Sequence, residues 1–582
     1  MKQTPQRDPN PCRPRHFRPA PYGPAPQEGP VKHSLETSHT RLIITGALIG
    51  LAFTVIAGRL VDVAAFKSGD GRVARNVATT RVETSRADII DRNGVLVATT
   101  LGTPSLYANP KELLNPRDAA HKIVQVLPDL NEQEVYAKLT AEKSFVWLKR
   151  QLTPRQVAAV NRLGIPGLEF QDEDKRIYPQ GNALAHVVGY AGVDNKGLAG
   201  IERGFDEILR SRHKPLELSI DLRVQAILRD EISKQMKQFN AVGGSGIIMN
   251  VNTGEVVSLV SLPDFDPNDP GATPTENLFN RVTLGTYEIG SVFKIFTTAM
   301  AIDNHVTSMT GGYDATRPIE IGRFTIHDDH AQRRWLSVPE IFMYSSNIGA
   351  AKMAVDVGGD RQREFLGKLG LLKAPSFEIP EIAAPLLPNP WRPINTMTIG
   401  FGHGISVSPL QIASAVSAVI NGGVLHRATL LKQPADQPVS GTQVMSASTS
   451  LDMRRLFRLV VDKGTGKFAE APGYLVGGKT GTAEKVSGKS YNTHSLMSSF
   501  AGVFPMNDPR YFVMISIDEP HGNSTSHGYA TAGWVAAPGV SRTVERMASL
   551  VGIAPIDEDS PDVRRALAIT LPPAPGRKFA SN

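Results

Sequence analysis

An apolar run after Gly290 contains a lysine, Lys294, that would be buried and lose its hydration when the chain folds. Residues 291–303 have the sequence SVFKIFTTAMAID, and the neighbours of Lys294 in this run are apolar on all sides. This pattern predicts a buried helix, with Ser291 capping its first turn and Lys294 one turn further along the same face. Desolvation lowers the pKa of a buried amine, and a neutral amine can accept the proton of a serine hydroxyl. The run therefore predicts a serine nucleophile activated by a lysine.

Spacing alone does not identify such a pair, because Ser211 and Lys214 repeat it in the charged stretch SRHKP. Two later motifs distinguish the first pair. Ser345-Ser346-Asn347 follows 54 residues after Ser291, and Lys479-Thr480-Gly481-Thr482 comes 134 residues after Ser345. Each motif by itself is explained as well by an ordinary turn or loop. In the order S-x-x-K, S-x-N, K-T-G they resemble the motifs of penicillin-binding proteins and serine β-lactamases.

The basic character of the chain belongs to its N-terminal tail. Residues 1–41 carry seven Lys and Arg against three Asp and Glu, which is +4 of the total net charge of +7. The remaining residues are close to neutral, so a nucleic-acid partner is not expected. The tail is rich in proline and has no apolar periodicity, which predicts disorder.

An uncharged apolar segment, LIITGALIGLAFTVIAG at 42–58, follows the tail. With Arg59 at the interface, it predicts a membrane-spanning helix at 42–62. The preceding positive charge predicts a cytoplasmic N-terminus and an exported remainder. A cleaved signal peptide is the alternative, although a 41-residue basic region is long for one. The only cysteine, Cys12, then lies on the cytoplasmic side.

Local patterns divide the exported part into two regions. From 86 to 209 we expect short strands, a turn at Asn93-Gly94 and helices in 110–165, with no acid–base pair and no metal-ligand spacing. Next come a helix capped by Asp221, a hairpin at 245–261, helices to about 425, and strands at 474–485, 498–505 and 511–518. A last helix should start near Ala532. This order predicts an α+β domain in which helices cover an antiparallel sheet.

Residues 86 to about 540 resemble a class B penicillin-binding protein, a monofunctional peptidoglycan transpeptidase. Besides the three motifs, the resemblance rests on RADIIDRNG, DEDKRIYP, GLAGIERGFD, LSIDLRVQ, GHGISVSPLQ, VVDKGTGKFA and ATAGWVAAPGV. The sequence segments around Ser291 and around GHGISVSPLQ are most similar to those of the division-specific, FtsI-type branch. The resemblance implies a disordered tail (1–41), a membrane helix (42–62), a pedestal resembling a dimerisation domain (67–213), a transpeptidase domain (214–552) and a flexible C-terminal tail (553–582).

The resemblance also implies roles for the site residues. Ser291 would attack the penultimate D-alanine of a pentapeptide stem, and Lys294 would be the base. Ser345 would relay protons, Asn347 would hold the substrate amide, and Lys479 would supply positive potential. Thr480 and Thr482 would bind the terminal carboxylate, and Gly481 would leave room for the substrate backbone. The N–H groups of Ser291 and Thr482 would form the oxyanion hole.

The resemblance further implies a single-pass protein of the bacterial inner membrane, with its catalytic domain in the periplasm at the division septum. Expected partners are pentapeptide stems, β-lactam antibiotics, an FtsW-like SEDS glycosyltransferase near Arg59 and Asp62, and other divisome proteins. No cofactor is expected. His327-Asp328-Asp329-His330 is a possible metal cluster, but no further ligand follows at a metal-site spacing, so we expect no metal.

Other functions share these motifs. An elongation-specific transpeptidase is the main alternative to a septal one. A D,D-carboxypeptidase or β-lactamase would need a group that delivers water to the acyl-enzyme, and neither Glu378 nor Glu381 is followed by the residues that accompany such a glutamate. A β-lactam sensor or a non-catalytic scaffold is the remaining alternative, which the three intact motifs disfavour.

Overall fold

The structure, a computed structural model, describes residues 44, 46–58, 86–211, 214–322, 324–434, 437–487 and 490–571. The chain divides into two units, 1–83 and 84–582. In the first unit residues 46–58 are helical, and apolar side chains such as Leu51 and Phe53 are exposed. Over the described residues, no helix is both long and apolar enough to cross a bilayer. The predicted tail 1–41 lies outside the described residues, and the predicted span 42–62 lies partly outside them.

The second unit begins with the pedestal, a sheet that packs against helices in two separate cores. The strands are β1 (Ile89–Ile90), β2 (Leu96–Ala108), β3 (Val146–Lys149), β4 (Leu168–Ile177) and β5 (Leu216–Glu217), in the order β3-β2-β1-β5 with β4 paired to β2. The helices are α1 (Pro116–Val126), α2 (Glu132–Leu139), α3 (Pro154–Asn161), α4 (Ala185–Val188), α5 (Gly200–Gly204) and α6 (Asp206–Ser211). Alternate residues of β2, such as Leu106 and Ala108, face a small core that is completed by α1, α2 and α3.

The predicted turn and the two capped helices of the pedestal are confirmed, whereas strand β3 lies inside the stretch 110–165 that was predicted to be helical. β1 and β2 form an antiparallel hairpin around Asn93-Gly94, where Gly94 has a φ of +82°. Asn131 caps α2, and Thr153 forms a capping box with Gln156 at the start of α3. These helices could be predicted because their caps are local in sequence.

Charged side chains from three segments that are far apart in the sequence meet in a buried ion network. Arg86 bonds Glu202 and reaches Asp206 at 2.6 Å, while Arg176 donates to Glu202 Oε1 at 2.7 Å. The side chains of Arg86 and Glu202 are fully buried, and that of Arg176 nearly so. Buried charges persist only when they are paired, so this network ties the segment before β1, the end of β4 and α5 together.

The part of the chain that carries the three motifs, which we call the catalytic domain from its resemblance, is built on an antiparallel sheet of five strands. These are β6 (Gly243–Asn250), β7 (Val256–Leu262), β14 (Gly477–Ser487), β15 (Ser490–Phe504) and β16 (Tyr511–Asp518), and they lie in the order β14-β15-β16-β6-β7. Ile247 and Met249 of β6 face one core, whereas Ile248 between them faces another. This alternation shows that both faces of the sheet are covered. The predicted hairpin at 245–261 and the three predicted C-terminal strands are confirmed.

Helices form the two outer layers of this domain. They are α7 (Leu222–Gln238), α8 (Lys294–Asp303), α9 (Val338–Tyr344), α10 (Asn347–Val357), α11 (Gly359–Lys368), α12 (Pro393–Gly400), α13 (Pro409–Ile420), α14 (Ala447–Lys463), α15 (Ala532–Val535), α16 (Ala537–Met547) and α17 (Pro561–Leu567). Asp221 caps α7 as predicted, and α15 starts at the predicted Ala532. Short strands complete the domain: β8 (Gly312–Asp314), β9 (Ile319–Ile321), β10 (Phe324–Ile326), β11 (Trp335–Ser337), β12 (Val424–His426) and β13 (Gly441–Gln443).

The expected flexible tail from residue 553 contains a packed helix in its described part, although most of its side chains there are exposed. Glu558 bonds Arg458 at 3.2 Å, and the Ile556 N–H donates to Gly473 O at 2.9 Å. Helix α17 packs on α14, where Arg455 donates to Ala566 O at 3.0 Å, and Leu567 is buried. This packing was not predicted, because the acidic composition of the run DEDSPD is typical of a loop. Residues 572–582 lie outside the described residues.

Candidate active site

Ser291 lies in a 3₁₀ turn, Gly290–Phe293, that leads directly into α8. The prediction that Ser291 caps the helix is therefore wrong, because Phe293 precedes the first residue of α8. Gly290 has a φ of +54°, and a Cβ there would meet Thr482 O at 2.7 Å. The turn that carries Ser291 is thus packed against strand β14, which requires glycine at its first position.

The amine of Lys294 joins the first two motifs. Its Nζ lies 2.9 Å from Ser291 Oγ, 3.1 Å from Ser345 Oγ and 2.7 Å from Asn347 Oδ1, and it donates to Ser345 O at 2.5 Å. Burial lowers the pKa of Lys294 to about 7, although Asp329 and Asp328 oppose the shift. Near pH 7 a large fraction of this amine is neutral and has a lone pair for the hydroxyl proton of Ser291.

Ser345 stands between α9 and α10 in a left-handed conformation, with φ 62° and ψ 42°. A non-glycine residue pays about 1–2 kcal/mol for this conformation. The next residues hold it in place, because Ser346 Oγ donates to Asp328 Oδ2 at 2.7 Å and Ile348 N–H donates to Asp328 Oδ1 at 2.9 Å. As a result, Ser345 Oγ points to the two lysines of the site.

Lys479 approaches Ser345 from β14, with 2.9 Å between its Nζ and Ser345 Oγ. Its side chain is fully buried, and burial together with the charge of Lys294 lowers its pKa well below the usual range. Because both amines are buried and lie next to the same hydroxyl, a state in which both are charged is unfavourable. This works against the steady positive potential predicted for Lys479 in the free protein.

The rest of the third motif lies along β14. Thr480 Oγ1 is 2.8 Å from Thr465 Oγ1, and Thr482 Oγ1 accepts the Ala532 N–H at 3.1 Å. A Cβ at Gly481 would meet Ile289 O at 2.3 Å, so this glycine is needed to fit the nucleophile turn. The prediction that Gly481 also leaves room for the substrate backbone stays a prediction.

Two residues of the site were not assigned to it from sequence: Asp328 was considered only as part of a possible metal cluster, and Thr465 was not considered. Asp328 positions the S-x-N loop from 18 residues upstream, and Thr465 contacts Thr480 from the end of α14. No local spacing connects either residue to a motif. His327 also contributes through its backbone, since its carbonyl accepts from Asn347 Nδ2 at 2.9 Å. In the described part of the chain, no group of three or more ligand-type side chains could hold a metal ion.

The other residues considered from sequence, Ser211, Glu378 and Glu381, lie outside the cluster around Lys294. The Ser211 hydroxyl donates to Ile208 O at 3.3 Å, at the exposed end of α6. Glu378 accepts from Thr429 Oγ1 at 2.7 Å, and Glu381 accepts from the Gly200 N–H at 3.2 Å. Both carboxylates are thus engaged with backbone or hydroxyl donors outside the cluster around Lys294.

Comparisons with known proteins agree with this arrangement. Residues 244–538 match the penicillin-binding protein transpeptidase domain, and residues 81–238 match the penicillin-binding protein dimerisation domain. The probable peptidoglycan D,D-transpeptidase FtsI of Caulobacter vibrioides is 39% identical over 486 residues, which cover 81% of this chain and 82% of that protein. The peptidoglycan D,D-transpeptidase FtsI of Escherichia coli K12 is 28% identical, over 80% of this chain and 84% of that protein.

Solved structures share the fold. The transpeptidase domain of Burkholderia pseudomallei penicillin-binding protein 3 is 33% identical, with a TM-score of 0.53 over 58% of this chain and 97% of that one. Mycobacterium tuberculosis penicillin-binding protein 3, complexed with aztreonam, is 23% identical, with a TM-score of 0.64 over 81% of this chain and 97% of that one.

Proposed function

The chain belongs to the penicillin-binding family of peptidoglycan D,D-transpeptidases, and from this premise we propose which residues perform the reaction and where in the cell it occurs. The chain is a serine-type transpeptidase that cross-links the stem peptides of peptidoglycan, and its fold is that of the penicillin-binding proteins. The septal site of action, the membrane anchor, the partners, the domain boundaries and the residue roles are the proposal.

In the first half-reaction, Lys294 takes the proton of Ser291, and Ser291 Oγ attacks the carbonyl of the penultimate D-alanine. The N–H groups of Ser291 and Thr482 stabilise the oxyanion. Close packing of Gly290 against Thr482 supports this pairing. The bond to the terminal D-alanine then breaks, and Ser345 passes a proton to the leaving amine. Its hydroxyl is suited to this relay because both lysine amines lie within 3.1 Å of it.

The hydroxyls of Thr480 and Thr482 hold the terminal carboxylate of the donor stem, and Lys479 regains its charge when that anion enters beside it. Asn347 positions Lys294 through Oδ1, and its Nδ2 binds the substrate amide by exchanging its present bond to His327 O. In the second half-reaction an amine of a neighbouring stem attacks the acyl-enzyme and closes the cross-link.

One observation carries these roles. Ser291 Oγ, Ser345 Oγ and Asn347 Oδ1 all lie within 3.1 Å of Lys294 Nζ, although Ser345 and Asn347 are 51 and 53 residues from Lys294 in the chain. Such a juxtaposition requires the tertiary fold and matches a nucleophile, base and relay.

The second S-x-x-K pair provides a matched control for the nucleophile. Fluorescent penicillin should label the wild-type chain and a Ser211→Ala variant equally, whereas Ser291→Ala should lose labelling. Labelling that survives Ser291→Ala would contradict the assignment. Slow loss of the label from the wild type is expected of a transpeptidase, and turnover within seconds would indicate a β-lactamase.

The helical segment 46–58, with its exposed apolar side chains, supports a membrane anchor at 42–62 that holds the catalytic domain in the periplasm. We assign the chain to septal synthesis on its likeness to FtsI-named relatives. Depletion should give filamentous cells, and round cells would favour an elongation enzyme instead.

A transpeptidase without its own polymerase requires a glycan-polymerising partner. An FtsW-like glycosyltransferase would contact the anchor near Arg59 and Asp62, which lie outside the described residues. Charge reversal at both positions should abolish co-purification with that partner. Unchanged co-purification would contradict the contact.

We propose a pedestal at 67–213 and a transpeptidase domain at 214–552. β5 at 216–217 pairs with β1 of the pedestal, whereas α7, from Leu222, packs on β6 and β7 of the catalytic sheet. These contacts support a boundary between Glu217 and Leu222, a few residues after the proposed one, and the dimerisation-domain match extends further, to residue 238.

A further inference from the structure

Four aromatic rings and one lysine form a cluster beside β14, which we call the aromatic rim. Trp534 is central: its ring centroid lies 4.7 Å from that of Phe468, 5.4 Å from that of His527 and 6.2 Å from that of Tyr529. Lys467 Nζ lies 5.1 Å from the centroid of Phe468. Tyr529 is 54% exposed and Phe468 is 37% exposed, so the cluster presents apolar ring surface and a cation to solvent.

The aromatic rim is attached to the two hydroxyls assigned to the substrate carboxylate. Thr465, two residues before Lys467, contacts Thr480 Oγ1 at 2.8 Å. Ala532, two residues before Trp534, donates its N–H to Thr482 Oγ1 at 3.1 Å. The two supporting segments also touch each other, since a Cβ at Gly533 would lie 2.8 Å from Thr465 O. The aromatic rim is therefore continuous with the carboxylate end of the cleft.

That end of the cleft is where the leaving D-alanine departs, an assignment that rests on the proposed function. Once the terminal residue has left, the incoming amine must reach the same carbonyl carbon by the path that the leaving amine vacated. A second stem bound beside Thr480 and Thr482 would supply that amine. From this continuity and chemistry we propose that the aromatic rim binds the acceptor stem peptide.

The chemistry of the aromatic rim suits such a ligand. An acceptor stem offers peptide planes and aliphatic chains that pack on aromatic faces, together with carboxylates that pair with Lys467. When the acceptor is meso-diaminopimelate, one of these carboxylates lies on the same carbon as the attacking amine. In the transfer step the amine nitrogen bonds to the ester carbonyl carbon, the bond from that carbon to Ser291 Oγ breaks, and the amine proton returns to Ser291 through Lys294.

A second aromatic cluster provides the matched control. Tyr107, Phe145 and Trp147 contact one another on the pedestal sheet, with centroids 4.5–6.1 Å apart, and Phe145 is 41% exposed. Phe145→Ala thus removes an exposed ring of similar packing that lies just before β3, in the pedestal. Lys463, an exposed lysine beside Asp462, is the matched control for Lys467.

The test uses the full-length chain, a benzoyl-D-alanyl thioester as donor, and two acceptor tripeptides. One tripeptide ends in meso-diaminopimelate and the other in L-lysine, which lacks the carboxylate beside the side-chain amine. Phe468→Ala and Tyr529→Ala should raise the acceptor KM about three- to tenfold for both tripeptides. Lys467→Ala should raise it by a similar factor for the diaminopimelate acceptor only.

In these three variants the rate of donor acylation should equal that of the wild type. The control variants Phe145→Ala and Lys463→Ala should change neither the acceptor KM nor the rate of donor acylation. An unchanged acceptor KM, or an acylation rate that falls in parallel because the aromatic rim serves the donor, would overturn the inference. If the wild-type chain forms no acyl-enzyme, the proposed function is wrong, and this inference, which rests on it, is wrong too.

Discussion

The reactivity of the site depends on the removal of water from one amine. Lys294 is 1% exposed, and its burial outweighs the opposing charges of Asp329 and Asp328. An exposed lysine at the same distance from Ser291 would stay protonated at neutral pH and could not act as a base. The apolar run around Lys294 is therefore part of the chemistry, and not only of the core.

The first prediction concerns pH. The pKa of Lys294 is about 7, and only the neutral amine above that pKa can accept the proton of Ser291. The acylation rate constant with penicillin should rise about tenfold per pH unit below 7 and level off above it. Stopped-flow fluorescence from pH 5.5 to 9 measures the profile. A flat profile across pH 7 would show that Lys294 is not the base.

The second prediction concerns the carboxylate that opposes this shift most. Asp329 raises the pKa of Lys294, and its side chain is exposed, so Asp329→Asn should lower the midpoint of the acylation profile without disturbing the fold. The control is Asp172→Asn, an exposed carboxylate on strand β4 of the pedestal. A midpoint that moves upward, or moves equally in the control, would contradict the electrostatic account.

At the scale of elements, the geometry of the site is set by turns and ends rather than by helix interiors. Ser291 lies in the turn before α8, Ser345 in the connection between α9 and α10, and Asn347 at the first residue of α10. Asp328 holds that connection in its strained form through two hydrogen bonds. Such positions can be oriented by neighbouring elements without breaking a helix ladder.

The third prediction concerns the pedestal network. Glu202→Gln removes the charge that compensates Arg86 and Arg176, so it should lower the free energy of unfolding by about 3–5 kcal/mol. Chemical denaturation measures this loss. Asp194→Asn, at the 82%-exposed partner of Arg150, should change it by less than about 0.5 kcal/mol. Equal effects of the two changes would contradict a structural role for the network.

At the scale of the whole molecule, the last described helix completes the catalytic domain. Deletion of residues 553–582 removes the buried Leu567 and the pair between Arg458 and Glu558, so it should lower the free energy of unfolding by about 2–4 kcal/mol. Penicillin acylation should persist, because Ser291 and Lys294 lie elsewhere. Leu567→Ala should reproduce part of the loss, and Arg565→Ala, at an 80%-exposed side chain, should not. An unchanged melting curve of the truncated chain would contradict this packing.

The sequence predicted what is local and missed what is distant. The cap at Asp221, the hairpin at 245–261 and the C-terminal strands follow from neighbouring residues. The three motifs could be grouped because their order is shared with known proteins. The roles of Asp328 and Thr465 and the packing of helix α17 were missed because their partners are far along the chain. The packing of Gly481 against Ile289 was not predicted, because spacing along a strand does not show what faces it.

The most direct measurement is mass spectrometry of the penicillin-treated chain after proteolysis. The account predicts that the peptide spanning residues 288–303 gains the mass of one drug molecule, with fragmentation placing it on Ser291. A chain whose peptide 288–303 stays unmodified under saturating penicillin, or whose adduct maps to Ser211, would contradict the account.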